Sequence, residues 1–198
     1  ADRYRKFVEL VRSVESQRVP GFEALSQSVA GSYHKLLAYK DEYEIARLYT
    51  DGRFTKQIQD TFEGKVTLNF SLAPPLIAKK DPHNGHLKKR VYGPWMLIVF
   101  RIIAKLKFLR GTKLDIFGYA KDRRSERQLI HEYETTMHEI LKGLTRNNHS
   151  LATEIASLPQ NIRGFGHVKE ATISTQKNIE KELMTYWKNP SQTASAAE

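Results

Sequence analysis

Apolar residues along this chain recur mostly with a helical period. Tyr4, Phe7, Val8, Val11 and Val14 share one face of a predicted helix over residues 3–18, which Pro20-Gly21 ends. A second helix is predicted over residues 23–50, with Leu25, Val29, Tyr33, Leu36 and Tyr43 as its stripe and Asp51-Gly52 as its stop. Phe54, Ile58 and Phe62 recur every fourth residue and mark a short third helix. After Gly64 the period changes. Val66, Leu68 and Phe70 alternate with Thr67, Asn69 and Ser71, the two-residue period of a half-buried strand. Pro74-Pro75 interrupts the run, Asn84-Gly85 is a hairpin-turn signal, and residues 87–92 read as the returning strand. The expectation is a small β-ribbon with a basic tip, leaning on helices because two strands alone are marginal.

Pro94 suits the first position of the next helix. Residues 95–109 are apolar on nearly every side in their first half, which predicts the most buried helix of the fold. Arg101, Lys105 and Lys107 make the second half amphipathic. A loop over residues 110–120 carries Gly111 and Gly118. Residues 122–144 form the clearest amphipathic helix, striped by Leu129, Ile130, Tyr133, Met137, Ile140, Leu141 and Leu144. Asn148 or Ser150 is placed to cap a short helix through Leu158, closed by Pro159. The last helix spans residues 169–188 with Ile173, Ile179, Leu183 and Trp187. No repeat or linker divides the chain. The fold class expected is mainly α: one multi-helix domain over residues 1–188 with a small two-stranded β-ribbon, then a disordered polar tail over 189–198.

Composition narrows the chemistry. The 198 residues contain no cysteine, which excludes disulfides, thiolate zinc sites, cysteine nucleophiles and cysteine-held iron–sulfur clusters within them. A reducing, cytoplasmic setting fits that usage. The sequence opens without methionine, already in helical period, and reads as trimmed from something longer; no signal peptide pattern is visible. Its longest apolar run is too short and too interrupted by Arg101, Lys105 and Lys107 to span a bilayer, so no membrane partner is expected.

The net charge of +10 is concentrated. Residues 79–127 hold 14 Lys/Arg against 4 Asp/Glu, and the remainder of the chain is neutral. A focused field of this kind suits an acidic protein surface, a phosphorylated ligand or nucleic acid, or docking on an acidic neighbouring domain.

Two segments are candidate anion sites. In Arg163-Gly164-Phe165-Gly166-His167-Val168-Lys169, two glycines permit close approach to a ligand, and a helix start offers free N–H groups. Arg163, His167 and Lys169 add charge and donors for a phosphate, such as those of coenzyme A. A tight inter-helix turn is the alternative, because no strand precedes the glycines and the third glycine of a dinucleotide fingerprint is missing. The second segment joins Arg110 to Arg123, Arg124 and Arg127, either as an anion cradle or as a charge network with Asp115 and Glu126 holding the preceding loop. His131, Glu134 and His138 share a helical face but read as core-edge residues, and His83 and His86 as loop residues, so no metal site is expected. Tyr92, Trp95, Phe108 and Tyr119 lie among Lys and Arg as a nucleic-acid surface would require, yet no nucleic-acid module pattern is present. No catalytic residue emerges.

Several strings together resemble the C-terminal domain of the fused indolepyruvate ferredoxin oxidoreductases. They are Tyr39-Lys40-Asp41-Glu42-Tyr43-Glu44 with Ala46-Arg47-Leu48, Leu72-Ala73-Pro74-Pro75, and Tyr92-Gly93-Pro94-Trp95-Met96. Leu109-Arg110-Gly111-Thr112, Leu114-Asp115, Phe117-Gly118-Tyr119, Arg123-Arg124 with Glu126-Arg127, and residues 162–169 continue the series. Ile116 and Ala120 depart from it, standing where a proline and a hydroxyl helix cap would be expected. The resemblance implies a homo-oligomeric parent enzyme that oxidatively decarboxylates aromatic 2-oxoacids to acyl-CoA. That parent would use thiamine diphosphate, [4Fe-4S] clusters and ferredoxin, with every cofactor held by other domains. For these residues it implies an accessory role in assembly or in docking acidic ferredoxin or coenzyme A.

Overall fold

The computed structural model describes residues 2–73, 88–164 and 167–189. They form a mainly helical structure with one small antiparallel sheet, the class that the periodicity predicts. In chain order the elements are α1 (Asp2–Arg18), α2 (Ala24–Leu37), α3 (Glu42–Thr50), α4 (Arg53–Thr61), β1 (Phe70–Leu72), β2 (Arg90–Tyr92), α5 (Met96–Lys105), α6 (Lys121–Gly143), α7 (His149–Ser157) and α8 (His167–Lys188). The Asn84-Gly85 turn, His83, His86, Pro74-Pro75 and the polar tail from residue 190 lie outside the described residues. Contacts divide the chain into two compact units, one of residues up to 39 with those from 125 onward, the other of residues 40–124.

The first unit is a helical bundle. All seven predicted stripe residues, six on α6 and Leu144 just past its end, are buried, and they meet Phe7 and Val11 of α1, Leu25, Val29, Tyr33 and Leu36 of α2, and Ala152, Ile155 and Ala156 of α7 in one core. Helix α8 covers that core with the half-buried Ile173, Leu183, Met184 and Trp187. Asn148 stands at the start of α7, as predicted, but its side chain reaches backward, accepting from Thr145 N–H at 2.8 Å and donating to the Gly143 carbonyl at 2.9 Å.

The structure departs from expectation in three places. The helix predicted over residues 23–50 is two helices. Its stripe hid the stop at residues 38–41, where Asp41 caps α3 by accepting from Tyr43 N–H at 3.0 Å and Glu44 N–H at 3.4 Å. Asp41 followed three residues later by Glu44 is an N-terminus signature that the apolar spacing masked. The alternation from Val66 yields a ladder over Phe70–Leu72 alone, paired with Arg90–Tyr92 in the register Phe70 to Tyr92. Finally, α5 is not the most buried helix. Only Met96 and Phe100 are buried, while Trp95, Ile98 and Ile102 are 56%, 60% and 56% exposed. Its last predicted turn, Leu106–Leu109, winds as a 3-10 helix.

Phe100 centres the second unit's core, stacked on Tyr49 at 5.3 Å and edge-on to Phe70 at 5.2 Å. Aromatic pairs of this geometry contribute about 0.5–1.5 kcal/mol each beyond the area they bury. Through Phe70 they tie the three-residue ribbon to Tyr49 of α3 and Phe100 of α5.

Candidate functional site

The basic segment folds onto an acidic helix. Helix α3 and its cap present Asp41, Glu42, Glu44 and Asp51, and three cations from later in the chain reach them. Arg110 pairs with Asp41, Lys107 with Glu44 at 2.8 Å, and the buried Arg123 approaches Glu42 at 3.7 Å. Arg47 joins Glu44 at 2.6 Å to Asp51 at 3.0 Å. Between Arg47 and Lys107, the Glu44 carboxyl is held down to about 2. The loop itself is pinned by buried Asp115, which accepts from Gly111 N–H at 2.9 Å, Gly118 N–H at 3.0 Å and the Tyr43 hydroxyl at 3.1 Å. Burial and the Asp115 carboxylate together push the Tyr43 phenol up to about 12. In this segment Arg110 and Arg123 thus pair with Asp41 and Glu42 at the start of α3, and Asp115 bonds within its own loop and to Tyr43. Arg124 donates to the Tyr119 carbonyl at 3.2 Å, and Arg127 is an exposed residue of α6. At the two positions where the resemblance falters, Ile116 opens a 3-10 turn over Phe117–Tyr119, and the Ala120 carbonyl accepts from Arg124 N–H at 3.1 Å.

The Arg163–Lys169 segment has its own internal bonding. Thr172 Oγ1 donates to the Arg163 carbonyl at 3.0 Å and lies 3.3 Å from Arg163 N–H. Gly164 has φ +89°, and a Cβ there would meet Val168 Cγ1 at 2.6 Å, so this glycine is required by its own turn. Lys169 of α8 pairs with Glu126 of α6 at 2.7 Å. Arg163 and Lys169 still gather charge: partial burial, then these two cations, lower the pKa of Lys35, which donates to the Gln160 carbonyl at 2.6 Å. Gly166 and the His167 side chain lie outside the described residues.

Helix α6 spends its candidate metal ligands elsewhere. Glu134 accepts a bidentate bond from Arg3, at 2.9 and 2.8 Å, and a third from the Tyr33 hydroxyl, while His138 stands edge-on to Phe7 at 5.6 Å. Among the described residues no three His, Asp or Glu side chains gather as a metal site.

A buried polar cluster escaped the sequence reading. Glu15 is 1% exposed inside the bundle and accepts from four donors: Leu25 N–H at 2.9 Å, Ser26 N–H at 2.9 Å, the Ser26 hydroxyl, and His149 Nε2 at 2.7 Å. Glu23, at the N-cap of α2, makes no capping bond, so Glu15 caps that helix from α1. Burial raises the Glu15 carboxyl, and the bonds from His149, Ser26 and Leu25 outweigh it, leaving the pKa below its ordinary value.

Among its described residues the second unit also carries an exposed apolar surface. Residues 88–114 carry eight Lys/Arg and no Asp/Glu. Lys107 and Arg110 are neutralised by α3. Lys88, Lys89, Arg90, Arg101, Lys105 and Lys113 are exposed and form no ion pair among the described residues, and Arg101 and Lys105 share α5 with the exposed Ile98 and Ile102, next to Trp95 at its N-cap. No described helix is long and apolar enough to cross a membrane.

No curated protein and no solved structure matches this chain. The model of one protein family does match, over residues 1–182, and so covers the bundle and the basic unit alike. On that match the chain belongs to DUF6537, a family of unknown function.

Proposed function

We propose that this chain is an accessory domain of a thiamine diphosphate-dependent, cytoplasmic 2-oxoacid:ferredoxin oxidoreductase acting on indolepyruvate or an aryl pyruvate. In this reading it serves assembly or partner docking and leaves the chemistry to the rest of the enzyme. One observation supports it above others. The strings through which the sequence resembles that enzyme's C-terminal domain are those whose side chains meet: Asp41 with Arg110, Glu42 with Arg123, and Tyr43 with Asp115. What they build is a loop pinned to a helix beside a cationic, apolar surface, which is the anatomy of a docking module. Cysteine-held clusters would belong to other parts of such an enzyme, since this chain has no cysteine, and the resemblance assigns thiamine diphosphate to those parts as well.

The test is indolepyruvate oxidation coupled to ferredoxin reduction and coenzyme A, by the polypeptide carrying these residues and by the same polypeptide without them, with the solution mass of each. A changed oligomer or a raised requirement for ferredoxin or coenzyme A on deletion supports the reading. An enzyme unchanged in mass and in all three requirements refutes it.

A further inference from the structure

Residues Trp95, Ile98, Ile102 and Lys105 follow one another at spacings of three, four and three along α5 and its N-cap. That is the a–d–a–d spacing by which one helix packs along another. Arg101 precedes Ile102 and falls at the flanking g position. The opposite face of α5 is occupied, with Met96 and Phe100 in the core and Leu97, Val99, Ile103 and Ala104 packed against it. This helix is therefore apolar on two sides, and among the described residues one side has a partner and the other is exposed. The Trp95 indole is held in place, edge-on to Tyr92 at 5.9 Å. A held indole loses little freedom on binding, and Trp and Arg are the residue types that dominate interface energetics.

The charges say what fits the open side. Arg101 flanks the seam and Lys105 ends it, and Lys88, Lys89, Arg90 and Lys113 add to the positive charge of the same unit. A second copy of this chain would bring those cations against their own kind, so the face does not suit self-association. A helix lying on a lipid surface is polar on the side away from the lipid, whereas the other side of α5 is core.

We infer that the Trp95–Ile98–Ile102 face of α5 is a docking seam for an acidic helix of a partner protein, one carrying apolar side chains one turn apart and carboxylates at its flanks. The seam rests on the docking-domain reading above, and it names where the partner sits and what the partner looks like. The apolar stripe supplies the burial, and Arg101 with Lys105 sets polarity and partner choice.

The experiment uses the full chain and two synthetic helical peptides of identical Glu-rich composition. In one, three leucines fall on a single face; in the other they are spread around the helix. Isothermal titration is run against wild type, Ile98→Ser/Ile102→Ser, and Arg101→Glu/Lys105→Glu. These side chains are exposed, so circular dichroism of both variants is expected to match wild type. The one-faced peptide is expected to bind wild type about tenfold or more tighter than the spread peptide. Each double variant is expected to erase that preference, and added salt to weaken binding without abolishing it. Equal binding of the two peptides, or none, overturns the seam. So does tighter binding to phosphatidylserine vesicles that the same variants abolish, because the occupant is then a lipid surface. The peptides do not involve the oxidoreductase. A failed seam with a positive deletion result leaves the docking-domain reading standing, and the converse result retires that reading alone.

Discussion

Replacing Glu15 by Gln is expected to destabilise the helical bundle by about 2–3 kcal/mol. The number follows from counting acceptors. Oε1 serves Leu25 N–H and His149, and Oε2 serves Ser26 N–H and the Ser26 hydroxyl. Glutamine has one such oxygen. Turned either way, its amide NH2 faces two groups that now receive a donor. His149 or the Ser26 hydroxyl can switch to accepting, but a backbone N–H cannot. At least one of the two backbone N–H groups is left buried and unpaired, at about 1–3 kcal/mol. Loss of a carboxylate at the N-terminus of α2 adds up to about 2 kcal/mol, and removing a buried charge gives part of this back.

The two tryptophans make the assay local. Trp187 packs on the bundle core and Trp95 lies in the other unit, so in a Trp95→Phe background the fluorescence reports the bundle alone. Urea unfolding of Glu15→Gln in that background is expected to show the stated loss, and heating a midpoint lower by about 5–10 °C. The pH dependence has a fixed sign. Because the folded Glu15 pKa lies below its unfolded value, its stabilisation is present above the ordinary carboxylate range and lost as pH falls through the folded value. The gap between the two proteins is therefore expected to close in acid. A Gln variant within about 0.5 kcal/mol of its parent at neutral pH, where ordinary surface changes fall, refutes the capping role.

Three further outcomes are expected. Asp41→Ala removes the cap of α3 and the partner of Arg110, so it costs about 1–2 kcal/mol and speeds hydrogen exchange at the Tyr43 and Glu44 amides; unchanged exchange rejects the cap. Asp115→Asn lowers the Tyr43 phenol from about 12 toward the ordinary tyrosine value, as read by NMR of ring-labelled tyrosine. Since that folded pKa is raised, the Tyr43 contribution to wild-type stability is complete below about pH 10 and lost as pH rises through about 12. Gly164→Ala costs about 2 kcal/mol or more, because a left-handed backbone acquires a Cβ that meets Val168; a neutral alanine would show that the turn relaxes freely.

Helix α6 was fully legible in the sequence because seven stripe residues over 23 positions leave one choice of buried face. Glu15 was not, although it stands four residues after Val11 on the buried side of α1, since apolar spacing discards a carboxylate. The usable signal lay elsewhere: a helix beginning after Glu23 with no short polar cap needs an acceptor from outside. Nor did composition mark the border between the two units. One edge falls between residues 39 and 40 at the stop before α3, and the other between residues 124 and 125 inside the continuous α6, where no linker residues occur. The partners of Arg110 and Arg123 were illegible for a related reason. They lie 69 and 81 positions away on α3, and helical spacing predicts only near neighbours.

The open face of α5 shows what an apolar count leaves undetermined. Hydropathy states that Trp95, Ile98 and Ile102 prefer burial, but not that this chain buries them, and here it leaves more than half of each exposed. Charge alone is equally ambiguous, because of the eight cations in residues 88–114, two are already neutralised by α3. The two features constrain the partner only together. Phosphate recognition by the six remaining cations would be lost steeply with salt, as counterion release requires. Burial of the stripe is indifferent to salt, and screening at a Debye length of about 8 Å removes only the outer part of the charge term. A partner that stays bound at high salt but is lost on Ile98→Ser/Ile102→Ser therefore uses the stripe, and a basic surface evolved for nucleic acid would give the reverse pattern.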